Sequence, residues 1–231
     1  MIKEFAIIVA GGTGSRMNNE LPKQFLVLNK LPVLYHSIKA FHDYSNKTEI
    51  IIAIKSEYIY LWESLCKKYK LNLPHKITNG GKTRFHSVQN ALNIIKHENG
   101  VVAIHDAARP IITKEFIKDC YEAAKLKRAI IPCIDIHESL RKSEGNTSKP
   151  IDRDKVKIVQ TPQCFDLSAI KKAYKQKYRP EFTDDAAVYE RSEQKKVSLI
   201  KGLNNNLKIT TDSDLKLAEF LLKKPVNTHL H

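Results

Sequence analysis

The chain has 231 residues, 42% of them hydrophobic, and a formal charge of +14. That length supports one large domain or two small ones, and no apolar run reaches the roughly 20 residues that span a bilayer, so no membrane partner is expected. The charge raises nucleic-acid binding, but only eight of 39 basic residues are Arg and the Lys fall in scattered pairs such as Lys67-Lys68 and Lys171-Lys172; base readers use Arg forks and stacking platforms use clustered aromatics, so the surface reads as Lys-rich and solvated, without a nucleic-acid partner.

In chain order, residues 5–10 form a nearly all-apolar run, as expected of a buried central strand. Met1-Ile2-Lys3-Glu4 leads straight into it and reads as the start of a strand, not a signal peptide. A helix over 33–41 begins after Pro32, a residue suited to a first helical turn. A strand at 49–54, a helix at 57–69 and a helix at 83–96 follow, the last with Val88, Leu92 and Ile95 on one face. Then come a strand at 101–105, a helix at 114–125 and a strand at 129–134. Residues 143–155 are polar, with Gly145, Asn146, Ser148 and Pro150, and read as a turn or an excursion from the body. Helices at 168–178 and 184–191, a strand at 197–200 and a helix at 212–223 close the pattern, and 225–231 is expected to fray. Strands alternating with helices predict an α/β fold, a three-layer and mostly parallel sheet. The four cysteines are far apart, with no C-x-x-C pair, which predicts reduced thiols and a cytoplasmic location.

Glycine is scarce, eight in all, and three fall in Ala10-Gly11-Gly12-Thr13-Gly14-Ser15-Arg16-Met17 directly after the first strand. Glycines let backbone N–H groups approach phosphate oxygens, and ligands bind at the C-terminal ends of such strands. The loop lacks the Gly-Lys-Ser/Thr ending of a P-loop and the third glycine of a dinucleotide fingerprint. It ends instead in Arg16, with Lys23 seven residues on. Two cations around a glycine loop suit a triphosphate, whose charge grows in a pentacoordinate transition state; a plain strand-to-turn connection is the bland alternative. Gly80-Gly81-Lys82-Thr83-Arg84-Phe85-His86-Ser87 precedes a helix, where free N–H groups and the helix dipole face an anion or a base edge. His105-Asp106-Ala107-Ala108-Arg109 ends a strand, a place for a Mg²⁺ carboxylate or for an N-cap Asp paired with Arg109. Thr183-Asp184-Asp185-Ala186 reads as a helix start with Thr183 as N-cap. Lys208 lies between apolar neighbours in Asn206-Leu207-Lys208-Ile209-Thr210, where a lone Lys more often snorkels.

Together and in this order, from about Ile7 to Glu219, these segments resemble the 2-C-methyl-D-erythritol 4-phosphate cytidylyltransferase family. The resemblance implies a Rossmann-like single domain over 1–224, with a protruding β-arm at about 136–158 that clasps a second subunit in a homodimer. It implies a Mg²⁺-dependent transfer from CTP to a phosphorylated polyol, methylerythritol phosphate, in non-mevalonate isoprenoid synthesis, giving the CDP-alcohol and pyrophosphate. Ala10, Gly11, Gly12 and Gly14 would wrap the triphosphate, and Arg16, Lys23 and Lys208 would be the catalytic cations. Gly81, Lys82, Arg84 and Ser87 would belong to the cytosine and ribose side of the CTP site. Asp106 would meet the metal and the ribose or acceptor, with Arg109 beside it; Thr161, Thr183 and the arm's Ser139 would contact the acceptor, and Arg153 would reach a partner's site from the arm.

The family's arm carries Asp-Thr-x-Lys, and this chain has Glu138-Ser139-Leu140-Arg141 at the corresponding stretch. Ser139 keeps a hydroxyl, whereas an alignment on Asp135-Ile136 loses it. A sister enzyme acting on ribitol 5-phosphate shares nearly the same glycine loop, and the Ala107-Ala108-Arg109 and Thr183-to-Ala186 segments stand closer to the methylerythritol enzyme. A non-catalytic basic binding protein is the alternative of another class; it predicts a steep salt dependence and nothing lost with a single loop cation.

Overall fold

The computed structural model describes residues 2–12 and 21–223. Gly14 and Arg16 of the glycine loop, and the tail from 225, lie outside the described residues.

The first strand, β1 (Glu4–Ala10), leads through a 3₁₀ turn at Lys23–Phe25 to a small ribbon, β2 (Val27–Leu28) and β3 (Leu31–Pro32), and to α1 (Val33–Tyr44). Next come β4 (Glu49–Ile54), α2 (Ile59–Tyr69), β5 (Lys76–Asn79), α3 (Arg84–Asn93), β6 (Val101–Asp106), α4 (Lys114–Lys127) and β7 (Ala129–Ile134). A hairpin, β8 (Leu140–Glu144) and β9 (Thr147–Ile151), interrupts the pattern. The chain then continues through β10 (Ile158–Val159), β11 (Gln163–Asp166), α5 (Leu167–Ala173), α6 (Asp185–Glu193), β12 (Ser198–Lys201) and α7 (Asp212–Lys223).

One sheet runs β10-β7-β11-β6-β1-β4-β5, with β12 against β7. Strand β1 is parallel to β4 on one side and β6 on the other, whereas β11 runs antiparallel between β6 and β7. The all-apolar strands follow from burial on both faces. Ala6, Ile8 and Ala10 of β1 face Leu34, Ile38 and Phe41 of α1 and Phe116, Cys120 and Tyr121 of α4. The intervening Phe5 and Ile7 pack with Val88 and Leu92 of α3 and Ile170 of α5. A period of two thus divides each central strand between two helical layers, as a three-layer α/β fold requires.

The boundaries of β4, β7 and α7 match the sequence reading, and helices 83–96 and 168–178 stop earlier, at Asn93 and Ala173. The polar stretch 143–155 contains the second strand of a hairpin, and nearly every residue of β8 and β9 is exposed. Asp184, not Thr183, is the N-cap of α6: its carboxylate accepts from the Ala187 N–H, leaving Thr183 exposed one residue outside. Asp outranks Thr at that position.

Candidate active site

The C-terminal ends of β1 and β6 and the N-terminus of α3 enclose a cleft of about 330 Å³. Ala10, Gly11 and Gly12 form one wall, and Lys23 enters from the 3₁₀ turn. Gly81, Lys82, Arg84 and Ser87 form the opposite wall, and Asp106 and Lys208 close the end. The ten predicted residues just named meet in one place although they span most of the chain.

Two close approaches require glycine. A Cβ on Gly81 would lie 2.2 Å from that of His86, and one on Gly11 would lie 3.0 Å from Ser87 Oγ. Ser87 accepts from the Gly81 N–H (3.0 Å) and donates to the Thr83 carbonyl (3.1 Å), drawing the paired glycines onto the first turn of α3. Ser87 therefore shapes this wall with its only donor committed and one acceptor lone pair left. Thr83, the N-cap of α3, makes no side-chain cap bond, so first-turn N–H groups remain at an end that favours anions.

Charge at the floor is arranged by one guanidinium. Arg84 donates Nε to Asp106 Oδ1 (3.1 Å) and places its fork on Asp185 at 2.8 and 2.7 Å. Asp185 is fully buried and also accepts from Tyr174 Oη at 2.6 Å. Gln163 Oε1 accepts from the backbone N–H groups of Asp185 and Ala186, while its Nε2 donates to Asp184. Lys208 Nζ donates to Asp106 Oδ2 at 2.6 Å. Burial opposes the charge on Asp106, but Arg84 and Lys208 outweigh it and hold the carboxyl well below the usual carboxylate range. Burial likewise opposes the charge on Arg84, and Asp185 with Asp106 raises its pKa well above normal. Both groups are thus ionised near neutral pH. Among the described lining residues Lys23, Lys55, Lys82, Arg84 and Lys208 stand against Asp106 alone, a strongly cationic set suited to a polyanion.

Apart from Asp106, the predicted acceptor residues lie elsewhere. Arg109 does not pair with Asp106: its Nη1 donates to the Asn206 carbonyl (2.7 Å) and its Nη2 to that of Val159 (3.3 Å). Thr161 is buried and accepts from the Asp106 N–H at 3.1 Å. Its hydroxyl also meets His105 Nδ1 at 3.0 Å, while His105 Nε2 meets the Arg109 carbonyl at 3.0 Å. A carbonyl can only accept, so Nε2 carries the proton and Thr161 donates to Nδ1. Burial lowers the His105 pKa to about 4, keeping the ring neutral. Ser139 and Arg153 are exposed at the base of the arm, where Arg153 donates to the His137 carbonyl. Thr183 is exposed beyond the cleft.

Sequence reasoning missed Gln24, Lys55 and Asp185. Gln24 adjoins Lys23 and could have been taken with it. Asp185 looked like an ordinary acid in a first helical turn. Nothing distinguished Lys55, a Lys just after a strand, from a surface residue.

Among the described residues no group of three His, Cys, Asp or Glu side chains could hold a metal. Among the described residues Asp106 is the one carboxylate lining the cleft, and each of its oxygens keeps a lone pair beyond its bond to Arg84 or Lys208. Mg²⁺ takes one or two carboxylates plus substrate phosphates and water. The donor set fits an ion that arrives on a triphosphate.

Comparison with known proteins gives a consistent answer. The family model for 2-C-methyl-D-erythritol 4-phosphate cytidylyltransferase matches residues 5–224. An enzyme of that name from Phocaeicola vulgatus is 44% identical over 94% of this chain and 98% of its own. One from Clostridium novyi is 38% identical over 96% and 98%. The crystal structure of the Francisella tularensis enzyme superposes with a TM-score of 0.76 at 30% identity, covering 94% of this chain and 99% of that one. The chain belongs to the 2-C-methyl-D-erythritol 4-phosphate cytidylyltransferase family.

Proposed function

We infer that the protein transfers the cytidylyl group of CTP to 2-C-methyl-D-erythritol 4-phosphate, yielding the CDP-alcohol and pyrophosphate in isoprenoid synthesis. The observation that carries this reading is the cationic cleft where the glycine loop, the α3 N-terminus and Asp106 meet, in a chain matched to the family almost end to end.

In the reaction a phosphate oxygen of the acceptor attacks the α-phosphorus of CTP. A new P–O bond forms as the bond to the bridging oxygen of the β-phosphate breaks, and pyrophosphate carries away the electron pair. The nucleophile is already anionic, so no strong general base is needed, and the barrier is lowered by alignment and charge stabilisation. Gly11 and Gly12 give the triphosphate close approach to backbone amides. Lys23 and Lys208, together with Arg16, offset the charge that grows at the α-phosphate. The Gly81-to-Ser87 wall receives cytosine and ribose. Asp106 would hold a divalent cation, which supplies further charge neutralisation on the phosphates when bound.

The acceptor contacts and the homodimer belong to the same proposal. Arg109 and Thr161 lie behind the cleft, so their route to the acceptor runs through Asp106 and the Lys208 loop. The exposed β8–β9 hairpin, with Ser139 and Arg153 at its base, supports an arm that completes a partner's site. The four free thiols suit a cytoplasmic setting. A pentitol phosphate acceptor would use the same nucleotide site, but the family match favours methylerythritol phosphate. Against a nucleic-acid partner, these cations converge on one cleft instead of following a track.

The test is pyrophosphate release from CTP and Mg²⁺ with methylerythritol phosphate or ribitol phosphate, in wild type and Lys23→Ala. Turnover with methylerythritol phosphate alone, lost in the variant, is expected. Turnover with ribitol phosphate alone would overturn the acceptor.

A further inference from the structure

We propose that Gln24 is a positioning residue of the nucleotide site, one whose carboxamide clamps the glycine loop to the turn carrying Lys23. Its Nε2 donates to the carbonyls of Ala10 (2.8 Å) and Gly12 (3.0 Å). Both partners can only accept, so the nitrogen end of the amide must face them, and its two hydrogens serve one carbonyl each. In a trans peptide the carbonyl and the N–H point in opposite directions. Holding the Ala10 carbonyl therefore turns the Gly11 N–H away from Gln24.

The base of the clamp is fixed. Gln24 belongs to the 3₁₀ turn Lys23–Phe25, and the next residue, Phe25, is 1% exposed and packs against Tyr58 and Trp62. The Phe25 N–H closes the turn onto the Pro22 carbonyl at 2.9 Å. One buried side chain thus ties the phosphate-facing loop to a core-anchored turn whose other product is a catalytic cation. The spacing between the loop amides and Lys23 is set at that point.

A second feature separates this role from ordinary packing. Gln24 is 2% exposed and its Oε1 has no hydrogen-bond partner among the described residues. A buried acceptor left unpaired is unfavourable, and a Met of similar shape would fill the space without it. What Met could not supply is the pair of donors. The identity of the ligand rests on the cytidylyltransferase reading; the clamp itself does not.

The experiment compares wild type with Gln24→Met and Gln24→Glu by CTP–Mg²⁺ titration calorimetry, pyrophosphate-release kinetics and thermal unfolding. Gln24→Met loses two hydrogen bonds to the loop, and a rise of about tenfold to a hundredfold in Kd for CTP is expected. KM for CTP rises with it and KM for the acceptor phosphate stays put. Gln24→Glu sets a carboxylate against two carbonyls and weakens CTP binding further; if it fails to fold, Gln24→Met carries the test. A merely structural role would lower the folded fraction and kcat in proportion while leaving CTP affinity intact, and that result overturns the clamp. So does wild-type affinity in a folded Gln24→Met. Should wild type bind CTP yet release no pyrophosphate, the reaction reading fails while the titration still tests the clamp. Should it not bind CTP at all, amide exchange at Gly11 and Gly12 decides: faster exchange in Gln24→Met supports the clamp and unchanged exchange overturns it.

Discussion

Asp185→Asn probes the floor of the cleft most directly. The wild-type carboxylate is fully buried, takes both branches of the Arg84 fork and accepts from the Tyr174 hydroxyl. Asparagine removes the charge and turns one acceptor into a donor, so one branch of the Arg84 fork must break, N–H facing N–H. Losing one partner of a buried pair costs about 3–5 kcal/mol. Arg84 keeps Asp106 at 3.1 Å, which argues for the lower end, about 3 kcal/mol. For a chain of this size that corresponds to a fall of about 6–12 °C in Tm. Tyr174→Phe removes a single donor and should cost about 1 kcal/mol, or about 2–4 °C. Function should follow, because an Arg84 fork released from Asp185 is free to turn onto Asp106 and compete with Lys208. KM for CTP should rise in Asp185→Asn even under conditions where the variant is fully folded. Thermal and urea unfolding beside pyrophosphate-release kinetics make the comparison. An Asp185→Asn protein within 2 °C of wild type, or a Tyr174→Phe protein equally damaged, would refute the hierarchy drawn from these distances.

Other expectations follow from the same geometry. Lys208→Ala leaves Asp106 paired with Arg84 and should fold normally, while kcat falls by about 10²–10³ as expected for one lost charge-stabilising donor; steady-state kinetics with unchanged unfolding checks it. His105 has its pKa lowered to about 4, whereas in the unfolded chain it titrates near pH 6.5. Between those values the unfolded state binds the extra proton, so stability is full above about pH 6.5 and should drop by about 2 kcal/mol by pH 5. Urea midpoints at pH 7 and 5 measure this, and His105→Gln should flatten the slope. Replacing residues 140–151 by a short Gly-Ser turn removes an exposed hairpin and should abolish dimer and turnover while the chain still unfolds cooperatively; a fully active monomer in sedimentation would sink the arm proposal. EDTA should stop turnover without lowering the Tm of the nucleotide-free protein, and a large fall in Tm would point to a structural metal instead.

That Gly11, Gly12, Lys23 and Asp106 share one cleft was legible because their chemistry is local. A glycine loop after an apolar run, a Lys seven residues beyond Arg16 and a carboxylate at the end of 101–106 each announce a strand end bearing ligand groups. Pairings across long sequence separations were not legible. Arg84 and Asp185 are 101 residues apart, and the acid looked like the first turn of any helix. Strand β11 escaped because Gln163-Cys164-Phe165-Asp166 is four residues long with polar ends, and its antiparallel place between β6 and β7 comes from tertiary pairing alone. Strand β5 escaped for a related reason, being a short edge strand without a fully buried residue. Thr183 failed as N-cap because two stronger candidates followed it, and only the fold decides which turn comes first.

Two of the residues assigned to the acceptor, Arg109 and Thr161, help mount Lys208. Arg109 holds the Asn206 carbonyl, the Ile209 N–H donates to the Ala108 carbonyl, and Asn206 Nδ2 donates to the Thr161 carbonyl at 2.8 Å in each of the last two cases. Gln160 joins in through Leu203, accepting from its N–H and donating to its carbonyl. These bonds lash the 203–209 segment to the end of β6, with Asn206 and Ile209 fully buried on either side of Lys208. The Lys side chain between them stays 41% exposed. Burying the flanking residues fixes the position of the ammonium at the cleft. Truncating Asn206 or Arg109 should therefore displace Lys208, the proposed catalytic cation, so a slower reaction in an Arg109 variant would report on Lys208 before it reports on the acceptor.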